Sequence, residues 1–247
     1  VIQVGEHPSA MCYIAQIERT FLSARMRFSL HRLPRTANVT DLLGLLEALN
    51  EEPTVNGILV QMPLPGHLPL PLVADALNPI KDVDGIHPLN AGRLLQAEGD
   101  YIVPATPAGG MELLRRYGIT LAGKRAVMVG RSNVVGRPMA ILMLHEHATV
   151  TICHSRTPNL PDITREAEIL AVAVGWPGVI TKEMIRPGAV VVDFGMNVVG
   201  SRVVGDVDTA EAMEVADWIT PVPGGTGPMT NVMLLRNVLT AAWRQAA

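Results

Sequence analysis

A chain of 247 residues exceeds the usual size of one domain, so two domains sharing a ligand site are the first expectation. With 48% hydrophobic and 17% charged residues it can build a sizeable core, which excludes a disordered chain. The net charge of −3, from 20 basic and 23 acidic residues, excludes the basic excess that draws a protein to nucleic acid or an anionic membrane, and leaves a small polar ligand.

Apolar runs alternate with helical periodicity along the chain, the pattern of an α/β fold. Strands are predicted at 1–4 (VIQV), 26–32 (MRFSLHR) and 57–62 (GILVQM), with helices near 9–24, 39–50 and 69–77. After about residue 106 the pattern restarts, with strands at 125–129, 149–153, 168–174, 189–194 and 218–221. Helices are expected near 134–146, 161–166, 180–185 and 209–216, and a long one at 228–244. Continuous Val/Ile/Ala strands joined by helices imply a parallel sheet covered on both faces.

The segment VGRSNVVGRP (129–138) lies between a strand and a helix, where a Rossmann-type unit turns around a phosphate. Its spacing is G-x-S-x-x-x-G rather than G-x-G-x-x-G, so by itself it reads equally as a cradle or an ordinary tight turn. About twenty residues on, the next strand ends in Cys153, His154, Ser155 and Arg156. An acidic residue there would accept the 2′-hydroxyl of NAD, whereas hydroxyl and guanidinium donors suit the 2′-phosphate of NADP. Arg131 can join them, and a solvated strand end remains the plain alternative.

Four further segments are unusual for connectors. VQMPLPGHL (60–68) puts Gln61 before two prolines, and KDVDGIHPLNAGRL (81–94) puts Asp82 and Asp84 before Gly85 without the remaining ligands of a calcium loop. PATPAGGMELL (104–114) reads as a turn plus a helix start, and TPVPGGTGPMT (220–230) packs three prolines and three glycines at a strand end. Singly each is a structural turn; four at strand ends in one chain point to a site. His145 and His147 flank Glu146 without the H-E-x-x-H spacing and read as exposed, while His87 and His154 read as bonded to local backbone, so no metal is expected. Cys12 and Cys153 form no CxxC pair, which suits a reducing compartment, and no apolar run nears the ~20 residues of a membrane span.

These motifs, with AVGWPG (172–177) and ATVTICHSRT (148–157), occur in one order over nearly the whole chain and resemble the methylenetetrahydrofolate dehydrogenase/cyclohydrolase family. The resemblance implies a folate-binding catalytic domain (1–106 plus 226–247) and a Rossmann-like NADP domain (107–225) flanking a cleft, with the C-terminal helix returning to the first domain. It also implies a cytoplasmic homodimer and, in other members, an extra strand and helix before the segment equivalent to residues 1–5. No charged, cleavable leader is read at the start, and since the sequence begins at Val1 without a methionine, the expectation is an N-terminal piece missing or removed.

By the same resemblance Tyr13, Gln61 and Asp84 are the catalytic group: Tyr13 stacks on the aminobenzoyl ring of tetrahydrofolate, Gln61 is the cleft glutamine and Asp84 holds the pterin. Pro223, Gly224 and Gly225 close over the substrate. Gly130, Arg131, Ser132 and Gly136 form the cofactor turn, Ser155 and Arg156 grip the 2′-phosphate, and Gly175 lies beside the nicotinamide half. Three positions depart from the family: Ala105 replaces a cysteine, Thr226 replaces a valine, and Ile17 stands four residues after Tyr13 where the family has lysine. That lysine serves the hydrolytic step, so the expected function is NADP-dependent oxidation of 5,10-methylenetetrahydrofolate with cyclohydrolase weak or lost. The alternative is an inactive paralogue that binds folate or dinucleotide.

Overall fold

The computed structural model describes residues 1–6, 8–200 and 202–246. Its chain divides into two compact units, one of Val1–Ala105 with Asn231–Ala247 and one of Thr106–Thr230.

In the first unit, β1 (Ile2–Val4) leads through α1 (Pro8–Ser23) to β2 (His31–Leu33), and the two strands pair in parallel. On the other side of β1, Ile2 N–H donates to Leu59 O (2.8 Å) and Gln61 N–H to Ile2 O (2.9 Å), while Ile58 N–H donates to Lys81 O (2.7 Å). Four extended segments thus lie side by side, but residues 57–62 make only isolated bridges, because Pro63 has no N–H to extend the ladder. The predicted strand at 26–32 is also cut back. Met26 N–H still bonds to Phe21 O at the end of α1, and Phe28 packs edge-on to Phe21, so pairing begins only at His31.

Helix α2 (Val39–Glu51) starts with a capping box: Asp41 N–H donates to Asn38 Oδ1 and Asn38 N–H to Asp41 Oδ2. It buries Leu42 and Leu46 completely against Ile2, Ile58 and Val73 of the short helix α3 (Leu70–Ala76). Helix α4 (Pro88–Gln96) was not foreseen. Pro88 opens it, His87 Nδ1 accepts from Leu89 N–H (3.0 Å), and Ala97 closes it in a left-handed conformation.

Helix α5 (Ala105–Arg116), which belongs to the second unit from Thr106 onward, is a full helix where the sequence predicts a turn and helix start, because its glycines are packing surfaces rather than turn residues. A Cβ on Gly109 would lie 3.1 Å from Thr230 N, and one on Gly110 would collide with the ring of Phe194. Then follow β3 (Arg125–Val129), α6 (Gly136–His145), β4 (Thr149–Cys153), α7 (Leu160–Thr164), β5 (Ile169–Val172) and β6 (Val190–Asp193). An antiparallel hairpin, β7 (Asn197–Val199) and β8 (Arg202–Val204), precedes α8 (Thr209–Ala212), β9 (Trp218–Ile219) and α9 (Thr226–Ala246). The helix predicted at 180–185 is one 3₁₀ turn, Lys182–Met184, and the one at 209–216 stops at Ala212. Both are too short to carry a stable i→i−4 ladder of their own.

The sheet is parallel in the order β4-β3-β5-β6-β9. Alternate residues feed opposite cores: Val127, Val129, Leu170 and Val172 on one face, Ala126, Met128, Ile169 and Ala171 on the other. This explains the unbroken apolar runs in the sequence. From Asn231 onward α9 belongs to the first unit, where Asn237 Nδ2 donates to Val83 O (2.9 Å) and Val103 O (2.8 Å). Among the described residues no helix is long and apolar enough to cross a membrane, and no group of three or more His, Cys, Asp or Glu could hold a metal.

Candidate active site

In the second unit, β3 is the strand at which the connection reverses direction, with β4 on one side and β5 on the other, the place where open α/β sheets bind ligands. Gly130 ends β3 with φ +126°, and a Cβ on it would collide with the carbonyl of Ala173, so only glycine fits. A Cβ on Gly136 would lie 2.6 Å from Gly130 C and 2.7 Å from Arg131 N. The two glycines therefore let the turn fold tightly onto the start of α6. Ser132 Oγ accepts from the N–H groups of Val135 (3.1 Å) and Gly136 (3.2 Å), holding the turn in shape. Among the described residues the N–H groups of Ser132, Asn133 and Val134 have no hydrogen-bond partner. Free amides ahead of a helix N-terminus are an anion site.

The end of β4 lies alongside, tied by Gly130 N–H to Cys153 O (2.9 Å). There Thr157 Oγ1 accepts from His154 N–H, and His154 Nδ1 accepts from Arg156 N–H (3.1 Å), closing a tight turn. Ser155 and Arg156 project from it, exposed, as does Arg131, and neither arginine forms an ion pair among the described residues. No carboxylate occurs in either turn. The donor set fits a dinucleotide that carries a phosphate on its adenosine ribose. His87 and His154 both bond local backbone; His147 is exposed, whereas His145 is half-buried because it ends the packed helix α6.

Beyond β5 the structure shows a network that sequence reading missed. Asp206, fully buried, accepts from the backbone N–H groups of Val174 (2.6 Å), Gly175 (2.9 Å) and Trp176 (3.0 Å) and from Asn197 Nδ2 (2.8 Å). Asp193, also fully buried, accepts from the N–H groups of Gly195 (2.7 Å), Asp206 (3.1 Å) and Val207 (2.9 Å). Burial pushes the Asp193 carboxyl up to about 6 against the pull of these N–H groups. The available signal was an acidic residue ending a buried strand, with glycines at 195 and 205 where a Cβ would strike the carboxylates. Thr220 Oγ1 and Thr226 Oγ1 (3.0 Å) reach the backbone of Asp193 and so anchor the loop bearing Pro223, Gly224 and Gly225. Pro223 and Gly224 are exposed, Gly225 is buried, and Thr226 has a structural role that its small size and hydroxyl explain.

In the first unit, Tyr13 is half-buried on α1 near Asp84. Burial and the Asp84 charge both push its hydroxyl well above the usual phenol range. Asp84 itself is raised to about 7, first by desolvation and then by the nearby Asp82, with the Ala105 N–H opposing. Asp82 is spent on structure: it accepts from the N–H groups of Ile86 (3.2 Å) and His87 (2.9 Å) and from Asn90 Nδ2 (2.8 Å). Gln61 donates through Nε2 to Met62 O (2.7 Å), leaving Oε1 buried without a partner. An orphaned acceptor and an unspent carboxylate are features a ligand with N–H groups would satisfy. Ile17 is fully buried and lines, with Phe21, Met26 and Val238 but also Arg27 and His31, a cavity of about 380 Å³.

Fold and turns together define a two-unit α/β protein with a dinucleotide-type sheet. Family models for the tetrahydrofolate dehydrogenase/cyclohydrolase catalytic domain and its NAD(P)-binding domain match residues 1–84 and 104–246. The chain belongs to this family. It is 54% identical to the bifunctional protein FolD of Herpetosiphon aurantiacus over 98% of this chain and 85% of that one. Among solved structures it resembles the bifunctional FolD dehydrogenase/cyclohydrolase of Campylobacter jejuni (TM-score 0.94, 40% identity, 98% and 86% covered). It is similar also to the Trypanosoma brucei enzyme complexed with NADP cofactor and inhibitor (TM-score 0.95, 38% identity, 99% and 86% covered).

Proposed function

We propose that this protein oxidises 5,10-methylenetetrahydrofolate to the 5,10-methenyl form with NADP, and that its cyclohydrolase step is weak or lost. The observation that carries the reading is the pair of adjacent turns at the ends of β3 and β4, free amides in one and unpaired Ser155 and Arg156 in the other. Gly130, Ser132 and Gly136 would hold the pyrophosphate, Arg131, Ser155 and Arg156 the 2′-phosphate, and Gly175 borders the nicotinamide half. When bound, NADP supplies the hydride acceptor. In the first unit, Tyr13 would stack on the aminobenzoyl ring, the ionised Asp84 would accept pterin N–H groups, and the free Gln61 Oε1 would take a further donor. Pro223, Gly224 and Gly225 would close over the folate. The unit Val1–Ala105 with Asn231–Ala247 then carries Tyr13, Gln61 and Asp84, and the unit Thr106–Thr230 carries the NADP turns and the loop of Pro223, Gly224 and Gly225. A cytoplasmic homodimer completes the reading, on family resemblance alone.

Oxidation breaks a C–H bond of the methylene carbon with its electron pair, and the neighbouring nitrogen lone pair spreads the positive charge left behind, so no side chain must move a proton. Hydrolysis of the methenyl carbon differs: water attacks and must lose a proton, help typically worth about 10² to 10⁴ in rate. Ile17, four residues after Tyr13, carries no proton. The test is to mix the protein with methylenetetrahydrofolate and NADP⁺ and follow methenyl absorbance. Methenyl product should appear and decay no faster than in a protein-free blank, and Ile17→Lys should add hydrolysis. No methenyl formation would overturn the dehydrogenase reading, and decay well above the blank would overturn the loss of cyclohydrolase.

A further inference from the structure

The sheet order fixes where the parts of a dinucleotide can lie. With the 2′-phosphate donors at the end of β4 and the free amides at the end of β3, the remaining half must pass over the end of β5, the next strand in the sheet. The loop that leaves β5 starts against the phosphate turn, since the Ala173 carbonyl packs directly on Gly130. Its backbone is clamped. Asp206 takes three consecutive N–H groups, from Val174 to Trp176, and Gly178 N–H donates to Gly205 O (3.2 Å). On this rigid support the Trp176 indole stands 70% exposed. A large aromatic surface held bare by a fixed backbone, at the position the sheet reserves for the second half of the ligand, is a contact surface. Trp218, by contrast, leans on Tyr117 with ring centroids 4.9 Å apart.

We propose that Trp176 is a further cofactor-contacting residue, its indole lying over the nicotinamide ring, and that Asp206 is the positioning residue that presents it. The inference rests on the NADP reading given above. It also has a redox consequence. The oxidised nicotinamide ring is cationic and the reduced ring is neutral, so an indole face favours NADP⁺ over NADPH.

In a Trp218→Phe, Trp243→Phe protein, Trp176 is the one remaining indole. Its emission should be quenched saturably by NADP⁺, but not by adenosine 2′,5′-bisphosphate, which fills only the places at β4 and β3. Calorimetry on the otherwise unchanged protein should show Trp176→Ala weakening NADP⁺ about two- to fivefold, the range of a partly exposed cation–π contact, with less effect on NADPH and none on the bisphosphate. Asp206→Asn should reduce the quench while keeping bisphosphate affinity; should that variant not fold, Trp176→Ala, an exposed side chain, decides alone. NADP⁺ binding that leaves Trp176 emission and the Trp176→Ala affinities unchanged would overturn the proposal and leave the NADP reading intact. Absence of binding by both NADP⁺ and the bisphosphate would overturn the NADP reading itself, and the proposal with it.

Discussion

Asp193 and Asp206 in one unit, and Asp82 and Asp84 in the other, begin from the same chemistry and are used differently. Asp193 and Asp206 accept seven hydrogen bonds between them from backbone and Asn197, so both carboxylates are consumed in shaping loops. In the first unit only Asp82 is consumed, by Ile86, His87 and Asn90. Among the described residues Asp84 meets only the Ala105 N–H, while desolvation and the nearby Asp82 raise it to about 7. A buried carboxylate whose bonds are all internal shapes a loop; one left short of partners is free to meet a ligand, the role proposed for Asp84. The same contrast separates the two candidate sites as wholes. The dinucleotide turn is built from glycine and backbone amides, the proposed folate site from side chains with unmet capacity.

The largest effect should come from the backbone-built site. Gly130→Ala forces a strained conformation and a collision with the Ala173 carbonyl, so NADP⁺ binding by calorimetry should fall by about 100-fold or more, while folate binding persists. Equal loss of both ligands would erase the proposed division between the sites. Next comes Asp82→Ala. Three donors lose their acceptor, which should cost roughly 2–4 kcal/mol in denaturant unfolding, whereas Asp84→Ala should be neutral or slightly stabilising.

The smallest effect is on pH. In the proposed role Asp84 accepts pterin N–H groups in its ionised form, so folate affinity should rise as pH climbs from about 6 to 8, with a midpoint near the raised value of about 7. Asp84→Asn should flatten that profile. Stability should move the other way: the folded protein holds this proton above the pH at which the unfolded chain, at 3.8, releases it, so the group's contribution falls as pH rises towards about 7.

The dinucleotide half was the more legible of the two in the sequence, because glycine spacing and strand ends carry its geometry. Strands at 125–129 and 149–153 were found to the residue, and VGRSNVVGRP falls between β3 and the first turns of α6. Asp193 and Asp206 are hard to read from sequence because six of their seven donors are backbone amides brought together by the fold, with Gly195 and Gly205 the one local sign. The hairpin of β7 and β8 was missed for a related reason. Its exposed Val198, Val199 and Val203 give no inward-outward alternation to read. In the first unit Asp82 and Asp84 looked alike in KDVDG, and only helix α4, with Asn90 turned back onto Asp82, tells them apart. Ile17 was legible as a departure from the family, but its complete burial was not.

The division of labour is tested most directly by a calorimetric cross of two variants with two ligands. Asp84→Ala should weaken methylenetetrahydrofolate binding by the roughly 1.5–3 kcal/mol of a charge-assisted hydrogen bond and leave NADP⁺ binding unchanged. Arg156→Ala should weaken NADP⁺ by a similar amount, spare NAD⁺, and leave folate binding unchanged. Either variant lowering both affinities in parallel, or Arg156→Ala failing to narrow the gap between NADP⁺ and NAD⁺, would contradict the account.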